Sequence, residues 1–207
     1  MRNTMRTIGK VYFLVIVLAG TALAQNMVRQ PSPAVTGPAY DVSVGYSYLR
    51  MAIPGAGRVG LNGLNATGSI GLSRHWGATV DSSFLRSGNI LGTTHQGYMA
   101  SLLGGPVFYP AEFGNTRMFV HGLAGAALID GAVPISQVDY FHGWLLRPAF
   151  AFGGGMEHAL SPALALRVNG DYLRTTFYDG SGVAQPQNNL RVTVSFVFRL
   201  KEKGGPR

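Results

Sequence analysis

From residue 40 onward the chain alternates apolar and polar side chains with period two, the mark of strands that bury one face. Tyr40 to Arg50 (YDVSVGYSYLR) is the clearest case: Tyr40, Val42, Val44, Tyr46 and Tyr48 share one face, and Asp41, Ser43, Gly45 and Ser47 the other. A second strand is predicted over 64–73, with Leu64, Ala66, Ile70 and Leu72 opposite Asn65, Thr67 and Ser69. A tight turn at Arg74-His75-Trp76-Gly77 leads into a third over 78–86, where Ala78, Val80, Ser82 and Phe84 oppose Thr79, Asp81 and Ser83. The fourth (96–108) and fifth (118–128) are rich in small residues, and their facing is ambiguous. It is clear again in the last three. There Phe150, Phe152 and Met156 oppose Ala151 and Glu157; Leu164, Leu166, Val168 and Tyr172 oppose Ala165, Arg167, Asn169 and Asp171; and Leu190, Val192, Val194, Phe196 and Phe198 oppose Arg191, Thr193, Ser195, Val197 and Arg199.

The expected connections alternate in length. Those near His75, Phe113 and Leu160 are short, and those at about 51–63, 87–95, 129–147 and 175–189 are longer. Each strand approaches the length of about 9–11 residues that crosses a bilayer at a tilt. The pattern predicts an all-β, eight-stranded antiparallel up-and-down transmembrane barrel, with short periplasmic turns and longer outer loops. A secreted soluble lipocalin-like barrel alternates too, with its apolar face inward. The polar face separates the two. It carries Ser, Thr, Asn and Gly with a few isolated charges, which suits the filled interior of a narrow barrel better than a water-facing wall.

Composition agrees. Of 207 residues, 46% are hydrophobic and only 13% charged, well below the roughly 25–35% of an ordinary soluble surface. With no cysteine, disulfides, thiol chemistry, cysteine-ligated metals and lipoprotein anchoring are excluded. Residues 1–24 read as a signal peptide: Arg2, Arg6 and Lys10, then the short apolar run Val11 to Gly20, then Ala22-Leu23-Ala24 as a cleavage site before Gln25. That run is too short for a membrane helix. Cleavage takes three of the 17 basic residues and leaves 17 − 3 = 14 against 9 acidic. The arginines are scattered singly, which excludes a nucleic-acid partner. Residues 25–38 are a Pro-rich flexible leader, 39–200 the barrel domain and 201–207 a short basic tail.

Two sets of charged residues stand out. Glu157, Arg167, Asp171 and Arg191 fall on the polar face of the last three strands, where buried charges must pair. We read them as a lumenal ion-pair network that blocks the bore and fixes register; a proton relay or gate is the alternative. Aromatic-Leu-Arg recurs where strands reach the long loops: Tyr48-Leu49-Arg50, Phe84-Leu85-Arg86 and Tyr172-Leu173-Arg174. In each, the aromatic and the arginine share the apolar face, an arrangement suited to the interface and the anionic headgroups, including lipopolysaccharide phosphates. Chance repetition among common strand residues is the alternative.

The chain resembles the outer membrane protein beta-barrel domain family, the small barrels akin to the transmembrane domain of OmpA and to OmpX. The carriers are VGYSYLR, the turn RHWG, FAFGGGMEHALSPALALRVNGDYLRT and the ending NNLRVTVSFVFRL. The resemblance implies an outer-membrane location, both termini periplasmic, and insertion by the barrel assembly machinery, with Phe198 as the assembly-signal aromatic. Seven residues, Lys201 to Arg207, follow the last strand. Two barrels of this size are lipid A-modifying enzymes, a deacylase and a palmitoyltransferase, so a lipid A-modifying barrel enzyme is a further alternative. The His-x-Ser pairing of the deacylase is missing, since Gln96-Gly97 follows His95 and Gly143-Trp144 follows His142. His75 and His158 sit in turns, and His121 reads as lumenal or packed in a glycine-rich strand. Neither catalytic residues nor metal or cofactor ligands are predicted. The expected function is structural or a loop-mediated surface interaction, with a small pore as the alternative. A monomer is expected, and the 129–147 loop, with Val138, Tyr140, Phe141, Trp144 and Leu145, is the candidate surface for an unspecified ligand; the alternative, which we favour for its end, is that Trp144 to Leu146 begin strand six and pack at the interface.

Overall fold

The computed structural model describes residues 40–53, 55, 57–90, 96–130, 133–134, 140–141, 143–178 and 183–200. The signal peptide, the leader, the basic tail, His95, His142 and, within the expected 129–147 loop, residues 131–132, 135–139 (Val138 among them) and 142 lie outside the described residues. Eight long strands follow in order: β1 (Tyr40–Ile53), β2 (Gly57–Gly71), β3 (Trp76–Ser87), β4 (Gly97–Phe108), β5 (Thr116–Asp130), β6 (Trp144–Ala159), β7 (Leu164–Tyr178) and β8 (Ala184–Leu200). Each pairs antiparallel with its sequence neighbours, and β1 also pairs with β8, from Tyr40↔Leu200 to Arg50↔Leu190. The sheet is a closed barrel, as the sequence predicts, and no long strand is left with a free edge.

Alternation sets the two faces. On β1, Val42, Val44, Tyr46 and Tyr48 are exposed, while Ser43 and Ser47 are buried in the lumen. The predicted facing holds likewise on β2, β3, β6, β7 and β8. The two ambiguous strands resolve by the same rule. Met99, Ser101, Leu103 and Val107 of β4 and Phe119, His121, Leu123 and Ala127 of β5 point inward, with Leu102, Met118 and Val120 outward. The barrel therefore wears its large apolar side chains on the outside.

The loops differ from expectation. At one end (the turn end) the strands are joined through 72–75, 109–115 and 160–163, and at the other (the loop end) through 54–56, 88–96, 131–143 and 179–183. Much of the expected 51–63 and 175–189 loops is strand, because the ladders continue to Ile53↔Gly57 and Tyr178↔Ala184. At 12 to 17 residues, the strands exceed a bilayer-crossing length. Their loop-end parts keep buried apolar side chains inside, such as Met51, Val59 and Phe177, which rewards continued pairing. A two-residue ladder of Val133–Pro134 with Tyr140–Phe141 lies in the 131–143 connection.

Glycine thins the wall at β6. A Cβ on Gly155 would overlap the Val168 carbonyl of β7, whereas one on Gly170 would meet open space. Gly155→Ala should therefore destabilise the barrel by about 1–3 kcal/mol, the usual cost of overpacking, and Gly170→Ala should not. Urea titration of the heat-modifiable gel shift compares the two; equal midpoints would contradict the close approach.

Candidate functional site

The lumen is built in two storeys. Toward the loop end, Leu49, Met51, Val59, Leu61, Leu85, Met99, Leu103, Leu123, Ala127, Ala149, Ala151, Leu173 and Phe177 form one buried apolar cluster. The middle leucines of the three aromatic-Leu-Arg motifs, Leu49, Leu85 and Leu173, are all in it and have at most 1% of their surface exposed. Three polar side chains adjoin this storey: Asn189 donates to Thr175 at 3.0 Å and accepts from the Ala52 backbone N–H at 2.9 Å, and the Thr175 hydroxyl donates to Gln187 at 3.3 Å.

The middle and turn-end storey is ionic, and its charges fall into two clusters. At the centre, the fully buried Arg191 donates to Asp171 Oδ2 through Nε (2.9 Å) and Nη2 (2.7 Å). Through Nη1 it reaches Asp81 of β3 at 2.6 Å. Asp171 and Arg191 stand directly opposite in the β7–β8 register, so that pair is local; the Asp81 bond crosses the bore. His121 Nε2 lies 2.8 Å from Asp171 Oδ1. These two residues belong to non-adjacent strands and both stand opposite Gly153 of β6. A Cβ on Gly153 would overlap the Asp171 carboxylate, so the missing side chain is what lets β5 reach β7. Asn169 donates to Asp171 at 3.1 Å and Asn65 to Asp81 at 2.8 Å, which occupies the carboxylate lone pairs.

The second cluster surrounds Glu157, which is wholly buried. Arg167 of β7 and Arg117 of β5 stand opposite it on its two flanks and lie at 2.8 and 3.2 Å, and Arg199 of β8 adds a contact at 2.8 Å. Arg117 also approaches Asp41 at 3.6 Å and lies 4.0 Å over the Tyr109 ring. Beyond the end of β4, burial raises the Tyr109 phenol above its ordinary pKa, with Arg117 opposing. The two clusters together hold four carboxylates (Asp41, Asp81, Glu157, Asp171) and four guanidiniums (Arg117, Arg167, Arg191, Arg199). In a low-dielectric bore such matching is needed, because an unpaired ion there costs several kcal/mol. Between the clusters lies a cavity of about 20 Å³ lined by Thr67, Thr79, Asp81, His121 and Asn169, room for about one water molecule.

The structure thus places all four residues of the expected network in the lumen but divides them, Glu157 with Arg167 and Asp171 with Arg191. Sequence reasoning left out Asp41, Asp81, Arg117, His121 and Arg199 as members. Asp41, Asp81 and Arg199 carried a usable signal, since each occupies the polar face of a clearly alternating strand. Arg117 and His121 did not, because the facing of β5 was open.

The outward residues of the three motifs sit on the wall near the loop end. Tyr48, Phe84 and Tyr172 are about half exposed, and Arg50, Arg86 and Arg174 are exposed one step further along. Arg86 donates to Gln96 at 2.8 Å and lies 5.8 Å over the Tyr98 ring, while the Tyr172 hydroxyl donates to Asn188. At the turn end Trp76 packs 4.8 Å from Phe108. Phe198 is half exposed and opposite Val42 and Leu164. His75 Nδ1 contacts the Tyr109 carbonyl and His158 Nδ1 the Thr116 hydroxyl, both at 2.9 Å. Trp144 begins β6, paired to Asp130.

No protein-family model and no curated protein matches the chain. Among solved structures, the neisserial surface protein NspA matches with TM-score 0.65 at 7% identity, over 79% of this chain and 99% of that one. Ail, the attachment invasion locus protein of Yersinia pestis, matches with TM-score 0.55 at 16% identity, over 78% and 98%. OprG of Pseudomonas aeruginosa gives 0.50 at 10%, over 80% and 97%. At these identities the likeness is one of fold, and that fold is the small eight-stranded barrel of outer membrane proteins.

Arg191 is the keystone of the central cluster. Arg191→Met leaves Asp81 and Asp171 without the guanidinium they share and should cost about 3–5 kcal/mol. Adding Asp81→Asn and Asp171→Asn should recover most of the loss. Urea unfolding in lipid vesicles measures both; an unchanged midpoint in the single variant would refute the pairing.

Proposed function

We propose that the chain is an integral outer-membrane protein, exported by a cleaved signal peptide and inserted by the barrel assembly machinery through a signal ending at Phe198. It works without catalysis, as a structural element or through its outer loops, and its bore is closed by its own side chains. The observation that carries this reading is the inversion of the two faces. Val44, Tyr46, Leu64, Val80, Phe152, Val192 and Phe196 are 43–68% exposed on the outer wall, while Arg191, Glu157 and Asp171 are wholly buried. In water this would place a broad apolar surface against solvent, far beyond the patches monomers tolerate. In a bilayer the same surface is solvated by hydrocarbon.

The filled lumen supports a non-conducting barrel. Glu157, Arg167, Asp171 and Arg191 act as struts that hold register, since each local pair joins residues directly opposite on neighbouring strands and a two-residue slip would break them. Tyr48, Phe84 and Tyr172 with Arg50, Arg86 and Arg174 anchor the barrel to the interface and the lipopolysaccharide layer. The protein should fractionate with outer membranes, migrate heat-modifiably on gels as a monomer, and show absent or very small conductance in planar bilayers. Large, stable unitary currents would instead establish a pore.

A further inference from the structure

Near the loop end the outer wall is divided into two unlike sectors. The strands β7, β8, β1, β2 and β3 are contiguous in the barrel, and four of them carry an exposed arginine there: Arg174, Arg50, Arg58 and Arg86. The carboxylates of these five strands, Asp41, Asp81 and Asp171, are all buried in the lumen. The sector therefore shows four cations and, among the described residues, no exposed anion. Across the barrel, the loop-end outward positions of β4, β5 and β6 hold side chains such as Tyr98, Leu128, Trp144 and Leu146, with Asp130 the one charged side chain there among the described residues.

Within the basic sector the arginines differ. Arg86 is held by Gln96 and Tyr98. Arg50, Arg58 and Arg174 have no ion-pair or hydrogen-bond partner among the described residues, although Arg50 and Arg58 are close. Arg50 stands opposite Gly60 and Arg58 opposite Ala52, so they are diagonal neighbours about 7–8 Å apart, and neither glycine nor alanine reaches out between them. Both are exposed on the outward face past Tyr48, Arg50 by one outward position and Arg58, opposite Ala52, by two. An anion bridging the two guanidiniums would sit just beyond the aromatic end of the apolar wall.

We propose that the β1–β2 face is a binding site for the phosphorylated headgroup of a glycolipid, with Arg50 and Arg58 forking one phosphate between them and Arg174 on the β7 side engaging a second anionic group. Guanidinium suits this role because its planar donors meet phosphate oxygens in pairs. The acyl chains run down the exposed wall of Tyr48, Tyr46, Val44 and Val192. The site rests on the membrane reading above and adds to it a ligand class, a location and a sidedness: one flank of the barrel retains the lipid and the β4–β6 flank does not.

The test is native mass spectrometry of the full mature barrel released from phosphatidylcholine nanodiscs doped with lipid A, bis-phosphorylated or dephosphorylated. The bis-phosphorylated form should stay bound in a defined number. Arg50→Gln or Arg58→Gln should reduce that retention about fivefold each, the effect of one cation at an anionic surface, Arg50→Lys should retain part of it, and Leu146→Gln on the opposite flank should leave it unchanged. Equal retention of the two lipid A forms, or by wild type and Arg50→Gln/Arg58→Gln, overturns the site. So does retention of a soluble sulfated glycan in preference to lipid A, which would assign the arginines to a surface polysaccharide. Heat-modifiable migration is recorded on every variant: if it persists while retention is unaffected, the site fails and the barrel reading stands, and if the wild type lacks it, the barrel reading itself fails.

Discussion

A peptide backbone inside hydrocarbon has no water to bond to, so every N–H and C=O must find a partner in the protein. Eight strands meet that demand by closing, with β1 returning to β8. Closure at this strand number leaves an interior only wide enough for side chains. The remaining features follow from that narrowness. Large apolar residues cannot all be inside and belong outside, where lipid accepts them. Polar residues that alternate with them are forced into a bore of low dielectric, where each charge needs a counter-charge at contact distance. Four carboxylates and four guanidiniums meet that need, and the bonds linking β3 to β8 and β5 to β7 tie together strands that the backbone ladder does not.

The division of the lumen into an apolar loop-end storey and an ionic lower one also follows from how the strands are written. In Tyr48-Leu49-Arg50, period two sends the tyrosine and arginine outward and the leucine inward. One tripeptide thus contributes an aromatic to the outer wall, a cation to the basic rim and a leucine to the buried cluster. Three copies on β1, β3 and β7 place three leucines in the same apolar plug. Past the roughly 9–11 residues that cross a bilayer the strands keep pairing because such inward side chains continue to be buried there, and the connections shorten to 54–56 and 179–183.

Much of this was legible from alternation alone. Six strands had large residues on one face and small polar ones on the other, and for these the facing could be read directly. β4 and β5 could not be read, since Ala100, Gly104, Gly122, Ala124 and Ala126 are small enough for either side, and His121 therefore stayed unassigned. The ion pairs were legible as lumenal charges but not as two clusters, because the separation depends on height along tilted strands and on cross-bore reach. The role of Gly153 was beyond sequence reading for the same reason: its importance comes from His121 and Asp171 on its two neighbours, residues far away in the chain. Pro106 carried a signal of its own. Lacking an N–H, it coincides with the place where the β4–β5 ladder skips two residues, between Gly104↔Ala124 and Val107↔His121.

The central claim is that acyl chains surround the outer wall, and Val80 offers the most direct view of it, four residues from both Trp76 and Phe84 on the outward face of β3 and 53% exposed. The chain has only two tryptophans, so Trp76→Phe and Trp144→Phe with Val80→Trp gives a single reporter at mid-wall. In vesicles whose lipids carry bromine near the middle of the acyl chain, the account predicts blue-shifted emission, strong quenching by bromine and little quenching by aqueous acrylamide. Emission quenched by acrylamide and indifferent to bromine would mean that the wall faces water, and would contradict the account.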